Sequence, residues 1–454
     1  EGFGRFDGGV LRGKWRTRQR RWETAQQVPG VGLLRATGYG QSTDYFVPGT
    51  LTDPPSIVSN TGYLLGCFPP PLARPPFPAQ FPAVKAPETF RCFVFGESAA
   101  MGEPDPEFSF WRVLETMLEK TYPGVRFEFI NTATAGINSH VIRRIAAECP
   151  RYSPDLAIVY MGNNEVIGPW GPADVFQAFS PSPSVIQAGV AARALRLGQF
   201  VDDLLDRGRA PRRDLTKWQG LEAFADASIP YDDPRMQSVY RSFGENLNAM
   251  CASFATAGVP ALVCSVATNL RDFPPLASTH AAGLAAARLT EWDRAYADAS
   301  GKEATGAHAE ALASYQNAAA IDATYAELHY RMARCFAATG NQKSAHEVYA
   351  RARDLDALHF RADTRINATV RGVADRFVRR GVQFVDIEKA LNDNAPHGVA
   401  GAESFFEHVH MTFAGNYRAA KALFPHAAAV VAKTMSVEPA AALPTEDECA
   451  AALG

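Results

Sequence analysis

Paired cysteines are missing from this chain. Its seven cysteines (Cys67, Cys92, Cys149, Cys251, Cys264, Cys335 and Cys449) are scattered, odd in number and never spaced C-x-x-C, which signals neither a disulfide framework nor a zinc site. Long hydrophobic runs are missing too: none reaches the roughly 18 residues that a membrane span needs, and no signal peptide is visible. A strong charge of either sign is also lacking. The formal net charge of -3 gives no basic footprint for nucleic acid. No motif calls for a metal or an organic cofactor. What is present is apolar material, 47% of 454 residues, enough for a sizeable core in about three domains or in one large domain with insertions.

Taken in order, the chain begins at Glu1 with a segment of about 27 residues rich in arginine (Arg5, Arg12, Arg16, Arg18, Arg20 and Arg21, with Lys14). It reads as a solvated tail, with a basic juxtamembrane linker as the alternative. Residues 28–85 are dominated by glycine, proline and aromatics, so the whole stretch 1–87 is expected to wrap over a surface without regular elements. From Glu88 onward strands alternate with helices. The strands are expected at 90–95, 126–130, 155–161, 261–266 and 382–386, and the helices at 108–122, 139–149 and 236–257. This rhythm predicts a parallel, doubly wound sheet. Residues 174–234 interrupt it as an insertion, with an amphipathic segment at 185–205 and a charged one at 207–217.

A second rhythm occupies 292–357. Sliding the chain by about 34 positions superposes Gly306 on Gly340, Ala311 on Ala345, Tyr315 on Tyr349, Ala318 on Ala352 and Asp322 on Asp356. Small residues let paired helices approach, and glycine permits the turns between them. The pattern resembles the tetratricopeptide repeat. Two units cannot bury a core unaided, so they are expected to lean on the sheet domain, against a helix at 362–379. The tail, 435–454, is acidic and rich in proline and alanine, and is expected to be poorly ordered and flexible.

The chemistry gathers around the first strand. The apolar run 90–95 stops at Gly96-Glu97-Ser98, and the carboxyl end of such a strand is where open α/β sheets place ligands. Ala135-Gly136-Ile137-Asn138, Gly162-Asn163-Asn164-Glu165 and Glu407-x-x-His410 follow, the first three blocks at strand ends. Together these resemble the four blocks of the SGNH (GDSL-type) hydrolases. The resemblance covers 88–291 and 358–434 and implies a flavodoxin-like three-layer α/β/α fold with a five-stranded parallel sheet, interrupted by the helical repeat insertion. It also implies that Ser98 is the nucleophile, His410 its base and Glu407 the partner of that base. The N–H groups of Ser98 and Gly136 and the Asn164 amide would form an oxyanion hole. The chain departs from the family at Glu97, Glu165 and Glu407, where aspartate is usual. The residues alone leave two alternatives at the base: another group orienting His410 in place of Glu407, and His408 as the base itself. An α/β-hydrolase elbow fits less well, because Ser98-Ala99-Ala100 lacks the second glycine.

Such a triad performs acyl transfer, the base activating the serine and the carboxylate fixing its tautomer. The expected function is a serine esterase cleaving short acyl or acetyl esters, on carbohydrate, through an acyl-enzyme on Ser98. One alternative is an O-acyltransferase of glycans. Another is an interaction module in which the repeats bind a protein or peptide. Asn163, Trp170 and Arg271 are candidate substrate contacts, Trp170 stacking on a sugar ring and Arg271 meeting an anion, with ordinary loop packing as the alternative. The partners expected are an acylated small molecule or glycan and no nucleic acid. The start of the chain and its basic stretch suggest an extracytoplasmic, membrane-proximal setting.

Overall fold

The computed structural model describes residues 44–49, 54–68, 76–173 and 227–454, with three positions between 185 and 188. The arginine-rich start and, apart from those positions, the segments 185–205 and 207–217 lie outside the described residues.

Strands β1 (Phe46–Pro48), β2 (Ser56–Ser59) and β3 (Gln80–Pro82) pair antiparallel in chain order. Strands β4 (Thr89–Gly96), β5 (Arg126–Asn131), β6 (Leu156–Tyr160), β7 (Ala261–Cys264) and β8 (Val382–Val385) form a parallel sheet in the order β5-β4-β6-β7-β8. Every residue of β4 and β6 is buried, as expected of aromatic and β-branched runs covered on both faces.

Helices α1 (Ser98–Met101) and α2 (Phe110–Thr121) follow β4, and α3 (Ser139–Glu148) follows β5. Helix α4 (Pro234–Thr256) precedes β7. Four helices then form the repeats: α5 (Ala286–Ala304), α6 (His308–Ile321), α7 (Ala326–Ala338) and α8 (Gln342–Asp354). The remaining helices are α9 (Thr364–Phe377), α10 (Ile387–Asp393), α11 (Phe413–Met435) and α12 (Glu446–Leu453). Helix α4 packs with α3 and α9, whereas α11 packs with α2 and α10, giving a layer on each face of the sheet. Strand order reverses between β4 and β6, so a crevice opens at their carboxyl ends. No described helix is long and apolar enough to cross a membrane.

Three expectations need correction. The proline-rich stretch before Glu88 does form regular structure: its strands are three or four residues long and two end on proline, where a missing N–H costs nothing. They hold to the core through aromatics, with Phe46 and Phe81 edge-on to Phe93 at 5.9 and 5.8 Å. Buried Glu148 also accepts from the Tyr45 N–H at 2.9 Å.

The repeats do lean on the sheet domain, but mainly elsewhere than α9. Ala333, Ala345 and Tyr349 pack with Leu270 and Val399, on the loops after β7 and before α11, and Tyr330 Oη donates to the Arg271 carbonyl at 2.7 Å. Helix α9 is met at its first turn, where Arg353 Nη2 donates to Thr364 Oγ1 at 2.9 Å.

The tail is likewise anchored. Thr445 and Glu448 form a capping box on α12, Cys449 is buried, and Tyr417 Oη donates to the Pro444 carbonyl at 3.0 Å.

Candidate active site

Strand β4 runs into Gly96, where a Cβ would fall 2.2 Å from the Tyr160 carbonyl oxygen and 2.4 Å from Ala100 Cβ. Only glycine lets the chain leave the sheet so tightly, and the turn delivers Ser98 to the first position of α1, at the mouth of the crevice. From the other side, a tight turn closed by a bridge between Phe405 and Met411 presents His410 just before Thr412, whose hydroxyl caps α11. The result is a contact across 312 residues of sequence: His410 Nε2 lies 2.8 Å from Ser98 Oγ.

Glu407 folds back within the same turn. Its Oε1 lies 2.6 Å from His410 Nδ1 and accepts the His410 N–H at 2.7 Å, while Oε2 accepts the His408 N–H at 2.8 Å. Capture of the carboxylate by its own turn is how the longer glutamate arm reaches the ring. With Nδ1–H held by Glu407, Nε2 offers its lone pair to the serine. Burial lowers the His410 pKa below the ordinary histidine value, against an opposing pull from Glu103, so the ring is neutral and able to accept a proton.

His408 is turned away, its ring 5.4 Å from Phe273 and 6.0 Å from Phe360, with Nδ1 against Glu407 Oε2. Burial first, then His410 and Arg361, pushes its pKa down to about 3. The turn is steadied by Asn269, on the loop after β7. Its N–H donates to the His408 carbonyl at 2.9 Å and its amide to the Glu407 carbonyl at 3.0 Å.

On the opposite wall, Gly136 adopts φ +77, a conformation that favours glycine, and Asn164 Nδ2 donates to the Ile137 carbonyl at 3.0 Å. Glu97 ties this wall to the turn that carries Ser98. Its carboxylate accepts the N–H groups of Gly162, Asn163 and Asn164 at 3.3, 2.9 and 3.2 Å. Glu165 does the same one layer out, accepting Ser139 N–H at 2.8 Å and Ser139 Oγ–H at 2.7 Å. Both of these departures from the family pattern are therefore buried anchors.

Burial, and then the charge of Glu165, raises the Glu97 pKa to about 8, with the three N–H bonds opposing; burial raises Glu165 to about 7 against its bonds from Ser139. A carboxyl raised in the folded state binds more protons there than when unfolded. Its contribution is thus complete below the unfolded value near 4.5 and is lost as pH rises through the folded value. Thermal stability should fall between about pH 4.5 and 8, and Glu165→Gln should flatten part of that slope. A slope identical in wild type and variant, by thermal scans across the range, would contradict this assignment.

The three candidate substrate contacts are engaged elsewhere. Asn163 is buried and its Oδ1 accepts the Ala362 N–H at 2.9 Å, joining the β6 loop to the approach to α9. Trp170 is only 5% exposed, its ring edge-on to His140, so it packs within the core and presents no face to a sugar. Arg271 donates through Nη1 to the Pro396 and Val399 carbonyls at 3.1 and 3.0 Å and through Nη2 to Asp272 and Glu403. It staples two loops together, and its charge is already met by carboxylates. Among the described residues no cluster of histidine, cysteine and carboxylates could hold a metal ion.

Comparison with known proteins adds a match of residues 304–363 to the tetratricopeptide repeat model. No curated protein matches the chain. Solved structures similar to it include an α/β hydrolase from the metagenome of Lake Arreo, at 12% identity and a TM-score of 0.33, covering 75% of this chain and 96% of that one. A GDSL-like lipase from Bacteroides thetaiotaomicron gives 10% and 0.31, covering 74% and 86%. The acetylxylan esterase Axe2 from Geobacillus stearothermophilus gives 10% and 0.32, covering 78% and 97%. With TM-scores below 0.5, these likenesses add nothing to what the chain's own geometry establishes. That geometry is a three-layer α/β/α fold on a five-stranded parallel sheet, with a tetratricopeptide-like pair of helical hairpins inserted between its fourth and fifth strands.

Proposed function

We propose that this protein is a serine hydrolase of the SGNH type that cleaves carboxylic esters of short acyl groups through an acyl-enzyme on Ser98. The observation that carries the reading is the continuous chain Ser98 Oγ, His410 Nε2, His410 Nδ1, Glu407 Oε1, with links of 2.8 and 2.6 Å. Ser98 attacks the ester carbonyl as its proton passes to Nε2, and Glu407 holds the ring while it is charged. The leaving alcohol takes that proton, and water repeats the sequence on the acyl-enzyme. The N–H groups of Ser98 and Gly136 and the Asn164 amide are assigned to the tetrahedral oxygen. The ring of Phe68 stands beside Gly136, 3.7 Å from where a Cβ built there would fall.

The repeats are read as part of this machine. Tyr330 holds the Arg271 carbonyl and Arg361 the Asn269 carbonyl, and Asn269 holds the turn carrying His410 and Glu407. The test is hydrolysis of p-nitrophenyl acetate by wild type and Asn164→Ala. The wild type should turn over, and the variant should lose about 10²- to 10³-fold in kcat with little change in KM. Equal rates in the two proteins would refute the assignment of Asn164, and no hydrolysis of any short ester by the wild type would refute the reading as a whole.

A further inference from the structure

The imidazole of His410 faces two carboxylates. Glu407 holds Nδ1; on the other nitrogen, Glu103 places Oε2 3.7 Å from Nε2, on the side where Ser98 Oγ sits at 2.8 Å. The chain itself brings Glu103 there. Gly102, at φ +98, ends α1 in the left-handed region, and the Glu103 N–H turns back to the Ser98 carbonyl at 3.1 Å. Its side chain stays 29% exposed at the mouth of the site. A separation of 3.7 Å is too long for a direct hydrogen bond and suits a single hydroxyl oxygen bonded to both groups at ordinary lengths.

Resting on the serine-hydrolase reading above, we infer that Glu103 orients the water that attacks the acyl-enzyme and so favours hydrolysis over transfer to an alcohol. One O–H of the water points at Nε2 and the other at Glu103 Oε2, which leaves a lone pair for the acyl carbon. As the oxygen bonds to that carbon, the first proton passes to Nε2. The bond from the acyl carbon to Ser98 Oγ then breaks, the proton on Nε2 moves to Oγ, and the carboxylic acid leaves. An alcohol has a single O–H, which Nε2 takes, so Glu103 has nothing of it to hold. The second carboxylate therefore discriminates between the two nucleophiles by counting protons. Glu103 is a positioning residue for deacylation and has no comparable task when Ser98 is acylated.

The experiment uses the full chain with p-nitrophenyl acetate, with and without added methanol, following the burst, the steady state and the ratio of acetate to methyl acetate. Glu103→Ala should keep its burst rate, and its labelling by a fluorophosphonate, within about threefold of wild type. Its hydrolytic deacylation should fall about tenfold or more, acetyl-Ser98 should accumulate, and the methyl acetate share should rise by a similar factor. Glu103→Gln, which keeps an acceptor oxygen without the charge, should fall between the two. Burst and deacylation declining together would overturn the inference, because Glu103 would then serve the base or the fold. An unchanged product ratio would overturn it too, while leaving the serine-hydrolase reading intact. Absence of any acyl-enzyme in the wild type would overturn both.

Discussion

Replacing Ser98 with alanine should lower ester hydrolysis by about 10⁴-fold or more while leaving the fold unchanged. The loss is large because the members of such a triad act as a unit, and without the nucleophile what remains is binding and the oxyanion donors. The fold should survive because Ser98 is partly exposed and its hydroxyl's bond is to His410 Nε2, a group with access to water once the serine is gone. Steady-state kinetics with p-nitrophenyl acetate, alongside a thermal scan, checks both halves. A variant that loses activity together with its thermal transition would show Ser98 to be structural.

The second large effect is expected at Glu97. Its carboxylate is fully buried and satisfies three consecutive N–H groups of the loop after β6. Glu97→Leu fills similar space and strands all three donors. At roughly 1–3 kcal/mol for each unsatisfied buried group, offset in part by the removal of a buried carboxyl, the net loss should be about 3–5 kcal/mol. For a chain of this size that corresponds to a thermal midpoint lower by roughly 3–5 °C. Catalysis should suffer as well. The same loop carries Asn164, and Glu97 is the covalent neighbour of Ser98, so losing the anchor lets the two walls of the crevice drift. Glu97→Asp should lie between wild type and Glu97→Leu, because the carboxyl is kept and the reach shortened. A Leu variant as stable and active as wild type would show that the three N–H groups find other partners.

Ser98 and Glu97 mark the two sides of what could be read from the chain. The meeting of Ser98 and His410, 2.8 Å apart, was legible because acyl-transfer chemistry would call for those residue types at these places, one after an apolar strand and the other before the last sheet-packing helix. The parallel sheet was legible for a related reason: strands buried on both faces are written as unbroken apolar runs. Glu97 was not, because a carboxylate in sequence reads as solvated, and what makes it structural is a set of backbone donors contributed from 65 or more residues away. Trp170 and Arg271 failed for the same kind of reason. Their loops lie after the expected strands, but which way a loop side chain points depends on neighbours such as His140 and Glu403, which are distant in sequence. The strands β1 to β3 were hidden by prolines that sit at strand ends, where they do no harm. Helix α12 did carry a local signal, the Thr445-x-x-Glu448 capping box, which was outweighed by the alanine and proline around it.

The central claim is that Ser98 is a nucleophile made reactive by His410. It is tested most directly by treating the purified protein with a fluorophosphonate and mapping the adduct by peptide mass, beside Ser98→Ala and His410→Ala. The account predicts one adduct, on Ser98, in the wild type, none in Ser98→Ala and labelling slowed by orders of magnitude in His410→Ala. A folded wild type that takes no label, or a His410→Ala variant labelled at the wild-type rate, would contradict it.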